Sequence, residues 1–84
     1  MTVQLVVESV VLDEQGAVTA VSGPYGTISA PTAVALVHFD AVTFIAGPVL
    51  ATVRLLHRPA GLSLYCNWDG TARNNLRDLP PSVP

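Results

Sequence analysis

In residues 2–12, TVQLVVESVVL, apolar and polar positions alternate. Val3, Leu5, Val7 and Val11 fall to one side of a two-residue repeat, and Thr2, Gln4 and Glu8 to the other. That period predicts a half-buried strand. Asp-Glu-Gln-Gly at 13–16 predicts a turn, with Asp13 accepting from the backbone ahead of it and Gly16 taking the left-handed conformation. AVTAV returns as a second strand, so residues 2–22 are expected to form a hairpin. Ser-Gly-Pro-Tyr-Gly marks the next turn, and residues 27–29 form a short strand before Pro31. Further on, VLATVRLLHRP and LSLYCNW flank Pro-Ala-Gly and predict a second hairpin over residues 49–68. In its second arm Leu62, Leu64, Cys66 and Trp68 share one side, and Ser63, Tyr65 and Asn67 the other.

Residues 32–46, TAVALVHFDAVTFIA, fit two templates. Val34, Val37, Ala41 and Ile45 can line a helical stripe behind Pro31. The density of Val, Phe, Thr and Ile favours strands, and the expectation is two short strands broken near Asp40, ended by Gly47-Pro48. After Gly70, residues 71–79 predict a short helix capped by Thr71 and stopped by Pro80. Pro-Pro-Ser-Val-Pro then leaves as an extended, polyproline-like tail. The fold expected is all-β: a small sandwich or partly open barrel of about six short strands, with one short C-terminal helix. Residues 1–79 make one β-rich domain and residues 80–84 an extended arm.

Composition changes the picture by adding a surplus. Of 84 residues, half are hydrophobic and 12% charged, with mean hydropathy +0.48. A chain this short buries only roughly 60–65% of the surface its unfolded form exposes. Few charges are available to coat the remainder, so an apolar face and association through it are expected. Residues 1–48 carry Glu8, Asp13, Glu14 and Asp40 with no arginine. Residues 49–84 carry Arg54, Arg58, Arg73 and Arg77 against Asp69 and Asp78. Such asymmetry can pair off inside the fold, or steer one copy onto another. With no lysine and four arginines on a net acidic chain, nucleic acid is not an expected partner.

Cys66 is the single cysteine, so it forms no internal disulfide. The first residues lack the positive segment of a signal peptide, and Glu8 interrupts their apolar run. Residues 33–56 are apolar but contain His38, Asp40, Pro48 and Arg54. Their uninterrupted core, 41–53, is shorter than the ~20 residues of a membrane span. A soluble protein made inside the cell, with no membrane partner, is expected.

Candidate chemistry concentrates in few places. Asn67-Trp68-Asp69-Gly70-Thr71 after an apolar strand is similar to the first motif of haloacid-dehalogenase-type phosphatases, D-x-D-G-T. In that family the first Asp attacks the phosphoryl group and the second serves as acid and base. Here the nucleophile's position is Asn67, whose amide cannot act as that carboxylate, and only residues 72–84 follow. The stretch is therefore read as a strand end, an Asp-Gly turn and a helix cap. Cys66 as a nucleophile needs a base and a depressed pKa; His57 lies across the hairpin from it, but its apolar neighbours make it a core residue. His38-Phe39-Asp40 with His57 resembles the H-x-D…H facial triad of non-haem iron oxygenases built on jelly rolls, domains much larger than this chain. The plainer reading places His38 and Asp40 at a turn and His57 at a solvated strand end. No cofactor and no metal are expected. Pro81 to Pro84 is a P-x-x-P, the minimal polyproline ligand pattern.

The function expected is a non-catalytic structural or accessory subunit that self-assembles as a homo-oligomer or packs on a larger particle. By analogy that particle is a virion carrying a decoration or minor structural protein. Arg54, Arg58, Arg73 and Arg77 are its contact cations, Tyr65 and Trp68 its anchors, and the arm with Pro81 and Pro84 its extension. The alternatives are a soluble regulatory or inhibitory protein acting on one partner and, more distantly, a metal-dependent enzyme using His38, Asp40 and His57.

Overall fold

The computed structural model describes residues 2–82. Among them the chain is mostly β: eight short strands in three small sheets, one α-helix and one 3-10 turn. The strands are β1 (Val3–Val7), β2 (Ser9–Leu12), β3 (Val18–Gly23), β4 (Gly26–Ser29), β5 (Val42–Ala46), β6 (Ala51–Thr52), β7 (Arg54–Arg58) and β8 (Gly61–Tyr65). The helix α1 spans Ala30–His38, and the 3-10 turn spans Asn75–Asp78. The sheets run β1-β5-β6, β2-β3-β4 and β7-β8.

The hairpin expected over residues 2–22 is divided at Glu8. Residues before it pair in parallel with β5, Val3 opposite Val42 through Val7 opposite Ala46. Residues after it pair antiparallel with β3, Ser9 opposite Ser22 and Val10 opposite Val21. The Glu8 amide itself donates to Ser22 O at 2.8 Å. Passing from one sheet to the other shifts the inward phase by one residue, so Val7 and Val10 are buried and Val11 is not. A period of two holds only while a strand stays in one sheet. Gly23 makes the corner possible, because a Cβ there would collide with Val6 O.

The turn at 13–16 forms as its residues dictate. Asp13 Oδ1 accepts from the amides of Gln15 and Ala17, each at 2.9 Å, and Gly16 sits at φ +81°. The second hairpin is shorter than residues 49–68: its paired arms are β7 and β8, Arg54 opposite Tyr65 to Arg58 opposite Gly61. Residues 51–52 pair with β5 instead, Ile45 opposite Thr52 and Ala46 opposite Ala51.

Residues 30–38 are helical, which corrects the strand expected there. Ser29 caps the first turn, its Oγ accepting from Thr32 N, and Pro31 lies in that turn where its missing N–H costs nothing. At the other end Asp40 N donates to Val37 O at 3.1 Å and Ala41 N to Leu36 O at 2.9 Å, with Asp40 left-handed at φ +58°. This pair of bonds closes a helix C-terminus. Between the caps, Ala30, Ala33, Val34 and Val37 pack inward at helical spacing. The two caps decide what β-branched composition left open. The strand expected beyond Asp40 is present as β5.

The C-terminal helix expected over 71–79 is reduced to the single 3-10 turn, capped by Asn74 rather than Thr71. Residues 80–82 run beside β2: Val10 N donates to Pro80 O at 3.2 Å and Ser82 N to Val10 O at 2.8 Å. Phe44, Leu76, Val7, Val10, Val21 and Cys66 form the centre of the core, drawn from the β1-β5-β6 and β2-β3-β4 sheets, the residue after β8 and the 3-10 turn.

Candidate functional site

The register of β7 and β8 places Arg54, Arg58 and Tyr65 on one face of the ribbon, Arg54 directly opposite Tyr65. Arg54 and Arg58 are exposed. The Tyr65 hydroxyl is engaged, donating to Ala72 O at 3.0 Å. Arg73 pairs with Asp78, the single ion pair among the described residues, and both partners face solvent. Trp68 is half-buried, its indole packed on Gly47. Arg77 leaves the 3-10 turn to lie over Gly16. Pro81 bridges to Val10, and Pro84 lies outside the described residues. Of the expected contact residues, Arg54 and Tyr65 are brought together across β7 and β8, and Arg58 and Arg77 border a common cleft.

That loop, residues 67–75, is held by side chains. Asp69 Oδ1 accepts from the Thr71 hydroxyl at 2.6 Å and the Thr71 amide at 3.0 Å. Asn75, buried, donates to Asp69 Oδ2 at 3.0 Å and to Asp78 Oδ2 at 2.9 Å, and its Oδ1 accepts from Trp68 N at 2.8 Å. Asn74 completes the outer edge of β8, accepting from Cys66 N at 3.2 Å and donating to Leu64 O at 3.1 Å. These bonds satisfy backbone groups at the end of β8 and in the turn after it with side chains of the loop. The Thr71 hydroxyl and amide, then the Asn75 amide, hold the Asp69 carboxyl down at about 2. An acid so thoroughly bonded as an acceptor is fixed as a carboxylate brace for the loop.

Cys66 is fully buried, its Sγ 3.5 Å from Ala51 O and 3.7 Å from Thr52 O, and burial pushes its thiol pKa up. The thiol is kept protonated, the opposite of nucleophile activation. His38 ends α1 with its ring edge-on to Phe39, Asp40 follows in the helix cap, and His57 lies on β7. Among the described residues no three His, Cys, Asp or Glu side chains gather as a metal-holding group. No helix among them is long and apolar enough to cross a membrane.

The most exposed large apolar side chains lie at the two ends of the β1/β5 pair, with Val6 and Leu12 less exposed elsewhere. At the end where both strands begin, Phe39 is 77% exposed and Val3 58%, and Val3 N donates to Ala41 O, two residues past Phe39, at 3.4 Å. At the end where β5 finishes, the turn from Gly47 to Leu50 presents Val49, 68% exposed, and Leu50, 54% exposed. Leu50 is held at φ +51°, a left-handed conformation that costs an L-residue roughly 1–2 kcal/mol. The radius of gyration, 11.8 Å, matches the ~12 Å of a well-packed domain of this length, so these side chains are not outside because the fold is loose. The sequence carried a signal for them that periodicity does not weigh: large apolar residues placed in a cap (Phe39) and in a Gly-Pro turn (Val49, Leu50) rather than within an element.

Comparison of the chain with known protein-family models, with characterised proteins and with solved structures finds no match.

Proposed function

We propose that this protein is a non-catalytic building block that acts by associating with further copies of itself, end to end. The observation that carries the reading is the exposure of large apolar side chains, Phe39 and Val3 at one end of β1/β5 and Val49 and Leu50 at the other. Water-exposed side chains of this kind are stabilised by mutual burial, at about 25 cal/mol per Å² of apolar surface removed from solvent. Two different patches on one chain make a head-to-tail contact, which generates rings or filaments rather than a closed two-fold dimer. Leu50 supports the same reading. A leucine kept in an unfavourable backbone conformation and presented to solvent is strain without benefit to the isolated chain. A small subunit of a larger symmetric particle, such as a virion, is the setting such a module serves.

Sedimentation velocity over a hundredfold concentration range tests the proposal. The weight-average sedimentation coefficient is expected to rise with concentration above that of an 8.8 kDa monomer. A coefficient that stays at the monomer value across the range contradicts it.

A further inference from the structure

The β7–β8 hairpin, the 13–16 turn and the 3-10 turn meet around an open cleft of about 370 Å³, lined by Gly16, Val18, Arg58, Ser63, Leu64 and Arg77 among others. Two guanidinium groups border it, and no Asp or Glu does. Among the described residues neither arginine has a carboxylate partner. Arg58 Nε donates to Ser63 Oγ at 3.1 Å, which fixes the side chain and leaves its terminal nitrogens unused. The backbone N–H of Arg77 donates to Asn74 O at 3.3 Å, and its guanidinium makes no hydrogen bond to any described residue. Its place is set by Gly16, where an added Cβ would stand 2.7 Å from Nη2. Of the acids on these elements, Asp13 Oδ1 is engaged by two amides and Asp78 by Arg73 and Asn75, while Glu14, in the 13–16 turn, has no ion-pair partner among the described residues and does not line the cleft.

We infer that this cleft binds a tetrahedral oxyanion of the phosphate class, gripped between Arg58 and Arg77. A planar carboxylate is satisfied by one guanidinium fork. Two forks arriving from different elements match an anion with oxygens in several directions, and guanidinium is the group best suited to phosphate. Ser63 adds a hydroxyl that orients the first fork. The cleft exceeds the needs of a bare phosphate, and Val18 and Leu64 supply apolar wall on its remaining sides. The fit is therefore to a phosphate monoester of a compact organic group. This site is separate from the apolar ends and does not depend on self-association.

The test is a titration with inorganic phosphate followed by two-dimensional NMR at constant ionic strength. Saturable shifts are expected at Gly16, Ala17, Ser63 and the Arg58 and Arg77 side-chain N–H groups. Arg58→Gln or Arg77→Gln should each weaken binding by about tenfold or more, and Arg54→Gln, outside the cleft, should leave it unchanged. Both cleft arginines are exposed, so thermal melts should show these variants folded; if R77Q melts early, R58Q alone carries the test. Phenyl phosphate distinguishes the source: tighter binding than inorganic phosphate assigns an esterified ligand, and equal binding assigns the free anion. Absence of saturable shifts with both probes, or an equal loss in R54Q, overturns the assignment.

Discussion

The Trp68 indole packs on the α-carbon of Gly47, so closely that a Cβ at Gly47 would stand 2.6 Å from both Cδ2 and Cε3. Gly47 is at φ +82°, a conformation glycine adopts freely. The contact anchors the turn carrying Val49 and Leu50 to the loop after β8. Gly47→Ala combines backbone strain with a steric clash, and a loss of about 2–4 kcal/mol in unfolding free energy is expected. Urea unfolding of the variant measures it; a loss below about half a kcal/mol would mean that the indole does not hold this position in solution.

Acid should loosen the loop through Asp69. Its folded carboxyl titrates at about 2, below the ordinary 3.8, because Thr71 and Asn75 bond the charged form. A depressed carboxylate pKa contributes stability that is present above the unfolded value and lost as pH falls through the folded one. The melting temperature should therefore decline between about pH 4 and pH 2, and Asp69→Asn should flatten that decline. A carboxyl carbon titration giving Asp69 a midpoint near 4 would remove the basis for the effect.

The division of the first long strand at Glu8 shows what the amino-acid pattern carries and what it omits. Alternation through residues 2–12 identifies extended backbone, and the 13–16 turn is legible from Asp13 and Gly16 alone. Which sheet each half joins depends on β5, more than thirty residues away, and the shift that buries Val10 in place of Val11 follows from that distant pairing. The helix over Ala30–His38 was legible in its caps, Ser29 with Pro31 and Asp40 with Ala41, yet its valine content weighed toward strand. In residues 67–75 the Asp-Gly turn was readable. The preference of Asn67, Asp69, Asn74 and Asn75 for bonding backbone groups locally is what prevents the helix expected after it. The arginine cleft was not legible, because Arg58 and Arg77 meet Gly16 only through the tertiary fold.

Tyr25 places a hydroxyl in the interior with no hydrogen-bond partner among the described residues, beside Phe44 at a ring-centroid distance of 6.2 Å. Burial, then the charge of Glu8, raises its pKa. Removing an unsatisfied buried polar group relieves its desolvation penalty, so Tyr25→Phe should stabilise the fold by about 1 kcal/mol. Chemical denaturation of the two proteins under one condition gives the answer; a clear destabilisation would mean that the hydroxyl has a partner, such as an internal water.

Cys66 should be silent in the native protein. Its sulfur is enclosed by Ala51 O and Thr52 O and its thiol is pushed toward the protonated form. A colorimetric disulfide reagent is expected to react only at the rate of unfolding, and at once in denaturant. Rapid native labelling would place the thiol at the surface, against the packing described.

End-to-end association makes one demand that no two-fold contact makes. Phe39→Ser removes one apolar end, and Val49→Ser combined with Leu50→Ser removes the other, all at exposed positions, where substitutions are expected to cost little stability. Each protein alone should sediment as a monomer, while an equimolar mixture should form a one-to-one dimer and stop, each supplying the end the other lacks. A mixture that remains monomeric beside an associating wild-type chain, or either variant associating unaided like the wild type, contradicts the head-to-tail contact.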